Sequence, residues 1–581
     1  MLTRHQIYTL LIAISAGLML GRIAAVNRTD LQGLQKYRFD AVQKRFNERE
    51  EQLHSANAPE EEFIKLAEEW PQRLDNEKRE LPVFSSNDRS RWNTIRVLVE
   101  PDMRVQRTVK LPDGTERTET VWYAIDKAQN VKGWDTIDMV KHNNIASELS
   151  FGEIVKKDGS EMIEKAKKAW ETIRVQLFSD QQAEEAQEPE ENAEYVPPVP
   201  SDAAPSGDEQ SDQMTPGYLY SSKPPLLPTL MAIPYAAMYW GSNGKLSLEQ
   251  EPFLVVRAML VICNFLPLVF CWFLLSRLID RFGTTDWGRV FSMAFVCFGT
   301  FLSTFVITLN NHLPGVVSVA IAFYCVVRIV YDKKIQWYYF AIAGFFGAFA
   351  VACEMPALLL CCLFGLWLLY HQWRRTLFIF APAALLVAAA FFTTNYMAHK
   401  TPFPAYSHQD WYFYKYERGT DSAGQPVIRD SYWKNPAGVD RGEPDLEKYV
   451  FHTTVGHHGL FSLTPVWALS LLGLLCWLVD RRYWSMSLII LLTSLVVFAF
   501  YMAVPLHLRN YGGMTSAFRW LFWLAPLWAV ALVAAADLFS KHVFFRAIAL
   551  VCLIVSALSA AYPIWNPWTM PWTYNLLQYI Q

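Results

Sequence analysis

Asp88 and Arg91 stand three residues apart in the hexapeptide Asn87-Asp88-Arg89-Ser90-Arg91-Trp92. In a helical turn this spacing puts a carboxylate and a guanidinium on one side. On its own such a pair is most often a surface ion pair. It becomes a candidate for chemistry only where further charged groups meet it. Lys223-Pro224-Pro225 supplies one at the head of an apolar run, where an interfacial anchor and a helix-starting proline are the ordinary reading. Glu354, in Cys353-Glu354-Met355-Pro356, is harder to explain as mere structure, because a carboxylate between two apolar spans is costly. The turn Asn310-Asn311-His312, the run His457-His458-Gly459, and Arg509-Asn510-Tyr511-Gly512-Gly513 with Arg519-Trp520 complete the set. Adjacent histidines do not share a face in regular structure, so His457 and His458 do not read as a metal site.

The elements that must position these groups are mostly membrane spans. Hydrophobic residues make up 52% of the 581 positions and charged residues only 18%, which excludes an ordinary soluble domain. All nine cysteines, from Cys263 to Cys552, lie in apolar stretches, so they read as small buried hydrophobes rather than disulfides or zinc ligands. The net charge of −3 says little, because in such chains the location of charge matters more than its sum. The expected fold is mainly α, a polytopic membrane protein with about eleven transmembrane helices and a large α+β insertion in its first outer loop. Residues 1–26 hold the first span, read as retained rather than cleaved because its apolar run is long for a signal peptide.

Residues 27–222 form a polar loop domain of three textures. Leu31, Leu34, Tyr37 and Phe39 mark an amphipathic helical stretch extending to about residue 80. Alternating β-like runs flank Pro112-Asp113-Gly114, with Val105, Thr108, Val109 and Leu111 before it and Thr118, Val121 and Trp122 after it. Between Asp180 and Asp212 stand eleven acidic residues, five prolines and no lysine or arginine, the composition of a disordered linker that reaches to about residue 215. The Asn27-Arg28-Thr29 sequon is too near the membrane to mean glycosylation of the chain. Residues 223–252 read as a helix lying at the interface, with Tyr235, Tyr239 and Trp240 suited to that depth. Residues 253–581 form the helix bundle, with an outer loop at 395–460. Its spans are expected at 253–276, 290–309, 313–330, 336–353, 355–370, 376–394, 461–479, 484–504, 520–538 and 547–563.

Basic residues orient them. Arg277 with Arg281 and Arg289, Lys333 with Lys334, Arg374 with Arg375, Arg481 with Arg482, and Lys541 with Arg546 fall in every second loop, and Arg4 agrees with them. Those loops are expected to be cytoplasmic. The 27–252 segment, the 310–312 and 354 turns, the 395–460 loop, the Arg509 turn and the C-terminal tail then share the outer side. Few ionisable groups are left at mid-span, where an ion-coupled transporter would keep them.

Asp88 with Arg91 and Trp92, the element Tyr220-Ser221-Ser222-Lys223-Pro224-Pro225-Leu226, and Tyr511-Gly512-Gly513 with Arg519-Trp520 together resemble motifs of the GT-C superfamily of polytopic membrane glycosyltransferases. The likeness is to the branch of aminoarabinose transferases and protein O-mannosyltransferases. Their first outer loop carries a pattern like Asp-Glu-x-Arg-Tyr, followed by an aromatic-x-Lys-Pro-Pro-Leu element. Arg89 stands here where the second acid of that pattern would be, the insertion between Arg91 and Lys223 is longer than usual, and a turn that carries an acid in some relatives reads Asn310-Asn311-His312.

The resemblance implies an enzyme that moves a sugar from a polyprenyl-phosphate donor to a lipid, protein or glycan acceptor at the outer face of an inner (plasma) membrane, with inversion. It implies Asp88 as the base and Lys223, Arg91, Arg509 and Arg519 as the groups that hold the donor phosphate. Glu354, His312, His457, His458 and Tyr220 are the candidates for holding substrate. No resident metal is assigned, a divalent ion is left open as a cofactor, and no nucleic acid is expected as a partner. The alternative from another class is a transporter or flippase that grips a lipid-linked glycan with the same cations but makes and breaks no bond. A third reading, an outer scaffold that the spans merely anchor, leaves the charged turns unused.

Overall fold

The structure, a computed structural model, describes residues 3–26, 36–56, 58–77, 82–83, 85–110, 114–131, 133–143, 160, 164, 167, 215–420 and 426–580. The acidic run 180–212, the sequon at Asn27 and the apolar positions Leu31 and Leu34 lie outside them.

The chain begins with α1 (Arg4–Ala24), whose N-terminus is closed by a capping box in which Thr3 and Gln6 satisfy each other's backbone N–H groups. The polar segment then forms α2 (Lys36–Ser55), α3 (Glu60–Glu77) and α4 (Ser86–Val99). Beyond α4, β1 (Val105–Lys110) pairs antiparallel with β2 (Glu116–Val121), Val105 opposite Val121 and Arg107 opposite Glu119. After the short α5 (Asp126–Asn130), β3 (Met139–His142) pairs antiparallel with β4 (Tyr218–Ser221), so the insertion returns to the membrane through a two-stranded ribbon. Helix α6 (Leu226–Gly241) starts behind Pro225 and packs on α4. A second hairpin, β5 (Lys415–Thr420) with β6 (Pro426–Asp430), lies in the 395–460 loop.

Eight helices among the described residues are long and apolar enough to cross a membrane. They begin with α1 and run through Pro252–Phe282, Asp286–Ile307, His312–Val330, Met355–His399, Trp484–Met502, Arg519–Phe539 and Val543–Ala561. The expectation of about eleven spans differs from this for two reasons. Trp337–Cys353 and Val466–Val479 are apolar helices of 17 and 14 residues, shorter than the ~20 that cover a hydrocarbon core. Met355–His399 is 45 residues long and contains two expected spans. It folds back on itself, because Gln372 leaves helical geometry at φ −150° and ψ 61°, and because Glu354 and His399, at its two ends, both reach the polar first-loop domain or its partners.

The connecting loops gather at two ends. At one, Arg4 bonds Asp280 at 3.0 Å and Asp286 at 2.6 Å, Arg281 bonds Asp332 at 2.8 Å, and Asp537 accepts from the backbone and hydroxyls of Thr284 and Thr285. Arg375 bonds the Ile335 carbonyl, and Arg546 lies over the Trp287 ring. These are the loops in which the basic residues of alternate connections stand. The first-loop domain, the 310–312 and 354 turns and the Gly512 to Arg519 stretch meet at the other end.

Candidate active site

The first turn of α4 is built to present side chains. Ser85 caps it by accepting from the Asp88 N–H at 3.2 Å, and Trp92 and Ile95 anchor the helix in the main core. Asp88, Arg89, Arg91 and Arg96 are nevertheless all buried, an arrangement that needs paired charges. Arg96 sits against Glu100 through bonds of 3.2 to 3.3 Å, and Glu100 also accepts from the Tyr235 hydroxyl, so this pair fastens α4 to α6. Arg89 reaches the 134–138 loop. It donates to the Asp135 carbonyl at 2.9 Å and steadies the 134–138 loop.

That loop delivers a carboxylate that sequence reasoning missed. Thr136 donates to the Ser86 carbonyl, Ser90 donates to the Asp138 carbonyl, and the Ser222 N–H bonds the same carbonyl, so the loop is laid along α4 and against β4. The Asp138 side chain then receives Lys223 Nζ at 2.8 Å. Lys223 and Asp138 keep about a quarter and a seventh of their side chains exposed, 23% and 14%, whereas Asp88, Arg91 and Glu354 are buried. Burial pulls the Lys223 ammonium below its ordinary value, Asp138 resists, and Arg91 and Arg519 push it further down.

A continuous network runs beneath this pair. Arg91 donates to the Asn87 carbonyl and side chain and, at 2.5 Å, to Asn311 Oδ1. Asn311 Nδ2 donates to Glu354 Oε1 at 2.7 Å, and His312 Nδ1 meets the same oxygen at 2.5 Å. Arg519 Nη1 lies 2.8 Å from His312 Nε2. A guanidinium only donates, so Nε2 must accept and Nδ1 carries the proton toward Glu354. Arg519 is further fixed by two bonds to the Gly512 carbonyl, 3.0 and 2.7 Å, and by the Trp568 ring 4.7 Å from its carbon. Gly512 has φ +93° and a Cβ there would come within 3.3 Å of Arg519 Nε, so this position requires glycine. Burial lowers the Arg91 guanidinium, opposed first by Asp88 and then by Asp138 and Glu354.

A fourth carboxylate, Asp440, stands at the rim. It accepts from Tyr432 at 2.9 Å and from Asn510 at 3.1 Å, and burial raises its pKa while Arg519 counters. Thus Asp88, Arg91, Lys223, His312, Glu354 and Arg519 are brought together from five separate stretches of sequence. Asn311, Asp138 and Asp440 join them. Asn311 and Asp138 follow from no local pattern, since their roles depend on which element each turn packs against.

The remaining expected residues lie elsewhere. Arg509 donates to the Val504 carbonyl at 3.1 Å, and its own carbonyl accepts from Glu443, so it shapes its loop. His457 stacks on His452, and His458 stacks on Tyr511 and reaches the Thr515 carbonyl, on the far side of the 511–515 loop from Arg519. Burial pushes His457 down to about 4 and His458 down to about 3. Tyr220 follows the two-residue period of β4: Ser221 faces Ser90, while Tyr220 faces the other way, stacked on His142. Among the described residues no three His, Cys, Asp or Glu side chains are grouped to hold a metal.

Fold and site define a class: a bundle with apolar helices of membrane-crossing length whose polar end holds a buried set of carboxylates and cations. No protein-family model and no curated protein matches the chain. Two solved structures are similar to it. One is the archaeal oligosaccharyltransferase AglB from Archaeoglobus fulgidus in complex with an inhibitory peptide and a dolichol-phosphate, at 13% identity and TM-score 0.30, over 60% of this chain and 47% of that one. The other is the Archaeoglobus fulgidus oligosaccharyltransferase in the apo form, at 12% identity and TM-score 0.29, over 61% and 48%. The chain spans about half the length of each.

Proposed function

We propose that this chain is a glycosyltransferase of GT-C type, which moves a sugar from a polyprenyl-phosphate donor to an acceptor hydroxyl at the outer face of a plasma membrane, its N-terminus being cytoplasmic. The observation that carries the reading is the convergence of Asp88, Lys223, Arg91 and Arg519 from distant parts of the chain onto one buried end of the bundle. Asp88 takes the proton of the acceptor hydroxyl while that oxygen attacks the anomeric carbon from the face opposite the phosphate. The bond from carbon to phosphate oxygen breaks, its electron pair stays on the phosphate, and the configuration inverts. Lys223, with Arg91 and Arg519 behind it, stabilises the charge that grows there. Glu354 and His312 hold the two arginines rather than the sugar. Arg509 is left out of this set because its guanidinium is used within its own loop.

Purified protein in proteoliposomes, supplied with labelled polyprenyl-phosphate sugars and candidate lipid, peptide and glycan acceptors, tests the proposal. Release of free polyprenyl phosphate is expected, falling about 10² to 10³-fold in folded Asp88→Asn and Lys223→Ala variants. Wild-type rates in both variants would remove these residues from the mechanism. Movement of intact donor across the bilayer with no free polyprenyl phosphate would favour the transporter reading instead.

A further inference from the structure

The insertion carries a second cationic site that glycosyl transfer does not use. In the β1–β2 ribbon, residues directly opposite share a face. Val105, Arg107 and Val109 of β1 therefore share one with Val121, Glu119 and Arg117 of β2, and on β1 this is the less exposed face, while Gln106, Thr108 and Lys110 stand in solvent. An inward face flanked by valines would ordinarily be apolar throughout. Here its middle is charged, and Arg107, Arg117 and Glu119 line a cleft of about 400 Å³, a size that suits a small ligand. The floor is Met397 and Lys400, at the end of the apolar Met355–His399 segment, and Trp122, 43% exposed, stands at the lip.

Among the described residues, three cations and one carboxylate line this cleft. Glu119 bonds Arg107 at 3.3 Å and lies 4.0 Å from Arg117. Lys400 has a bland partial explanation, since a lysine after a helix C-terminus meets the negative end of its dipole. That does not account for Arg107 and Arg117, which come from another element. Lys400 is also crowded, its pKa lowered by burial and by Arg107, with Glu119 opposing. Among the described residues that line it, the cleft carries an excess of positive side chains, which suits an anion.

We propose that this cleft binds the phosphate headgroup of a membrane lipid, gripped by Arg107, Arg117 and Lys400. A lipid is favoured over a free anion because the cleft opens where an apolar helix of membrane-crossing length ends, with Met397 and a half-exposed tryptophan as its apolar lining. The inference stands whether or not the chain transfers sugar.

The test is native mass spectrometry of the full chain released from nanodiscs of phosphatidylcholine mixed with phosphatidic acid. Wild type should retain phosphatidic acid in preference to phosphatidylcholine. Arg107→Gln with Lys400→Gln should weaken that retention roughly tenfold for each cation removed, the scale of one charge-assisted hydrogen bond. Glu119→Gln should strengthen it, and Arg117→Gln, at a largely exposed position, should weaken it in a protein that folds even where the double variant does not. No preference in wild type, or a preference that none of these substitutions moves, overturns the proposal. Displacement of phosphatidic acid by inorganic phosphate, with equal phosphate binding in lipid-free detergent, would make this a soluble-anion site and defeat the lipid assignment.

Discussion

Lys223 is the residue on which charge, exposure and reach coincide. Its ammonium is held below its ordinary value by burial and by two arginines, and Asp138 pulls the other way. A lysine that must be charged to hold phosphate works below its pKa and fails as the pH rises through it. Because that value is lowered, the alkaline limb of the pH–rate profile should fall earlier than for an ordinary lysine. Asp138→Asn should bring the limb down further, and Lys223→Arg, whose guanidinium keeps its proton, should carry it upward. Profiles of the three proteins that superimpose would show that Lys223 does not titrate in the reaction. Glu354 acts differently, through the groups it orients. Glu354→Ala removes the acceptor shared by Asn311 and His312 and frees Arg91 and Arg519, so kcat should fall about 10 to 10²-fold. Glu354→Gln keeps an oxygen at that point and should be milder, and an equal loss in both would mean that the negative charge, rather than the geometry, is what matters.

Helix α4 does the positioning, and its stability rests on its C-terminal half. Arg96 and Glu100 are almost wholly buried, and their pairing is completed by Tyr235 of α6. Glu100→Gln leaves the buried guanidinium without its buried counter-charge and should cost about 3 kcal/mol. It should be read as an earlier thermal unfolding midpoint in detergent, and an unchanged midpoint would mean that Glu249, 3.2 Å from Arg96, carries the charge alone. Much at this scale was readable from sequence. The two-residue alternation around Val105 and Val121 became β1 and β2, and Asp88 to Arg91 became one helical turn. What escaped was Asp138, which has no periodic neighbours and matters only because Arg89, Ser90 and Thr136 pin its loop to α4. Arg89 had looked like a lost acid, yet it serves the loop that brings another carboxylate to the site. Arg509 poses the converse problem. An arginine near a Gly-Gly turn looks like Arg519 in sequence, and only the direction of its guanidinium separates them.

At the scale of the whole molecule, the pattern of basic loops anticipated which connections meet, because a chain that crosses a layer repeatedly must sort its turns onto two ends. It anticipated less about span lengths, since a buried helix such as Val466–Val479 can be short when neighbours cover it. The two ends have different chemistry. One holds ion pairs between loop residues, such as Arg4 with Asp280 and Asp286, and the other holds the network from Arg91 to Arg519 together with α4 and the β3–β4 ribbon. The side each end faces decides which donors can reach the site, since a lipid-linked sugar serves a compartment without nucleotides, whereas a cytoplasmic site would have nucleotide sugars at hand. Exposed Arg441 lies on the site end and exposed Lys541 on the opposite one. In a chain whose native cysteines are replaced by alanine, Arg441→Cys should react with a membrane-impermeant maleimide in intact cells, and Lys541→Cys only after lysis. The reverse pattern would put the site in the cytoplasm and remove the reason for a polyprenyl-phosphate donor. Labelling of both in intact cells would break the two-ended arrangement itself, and with it the argument that the Asp88 and Lys223 stretches meet across a single membrane surface.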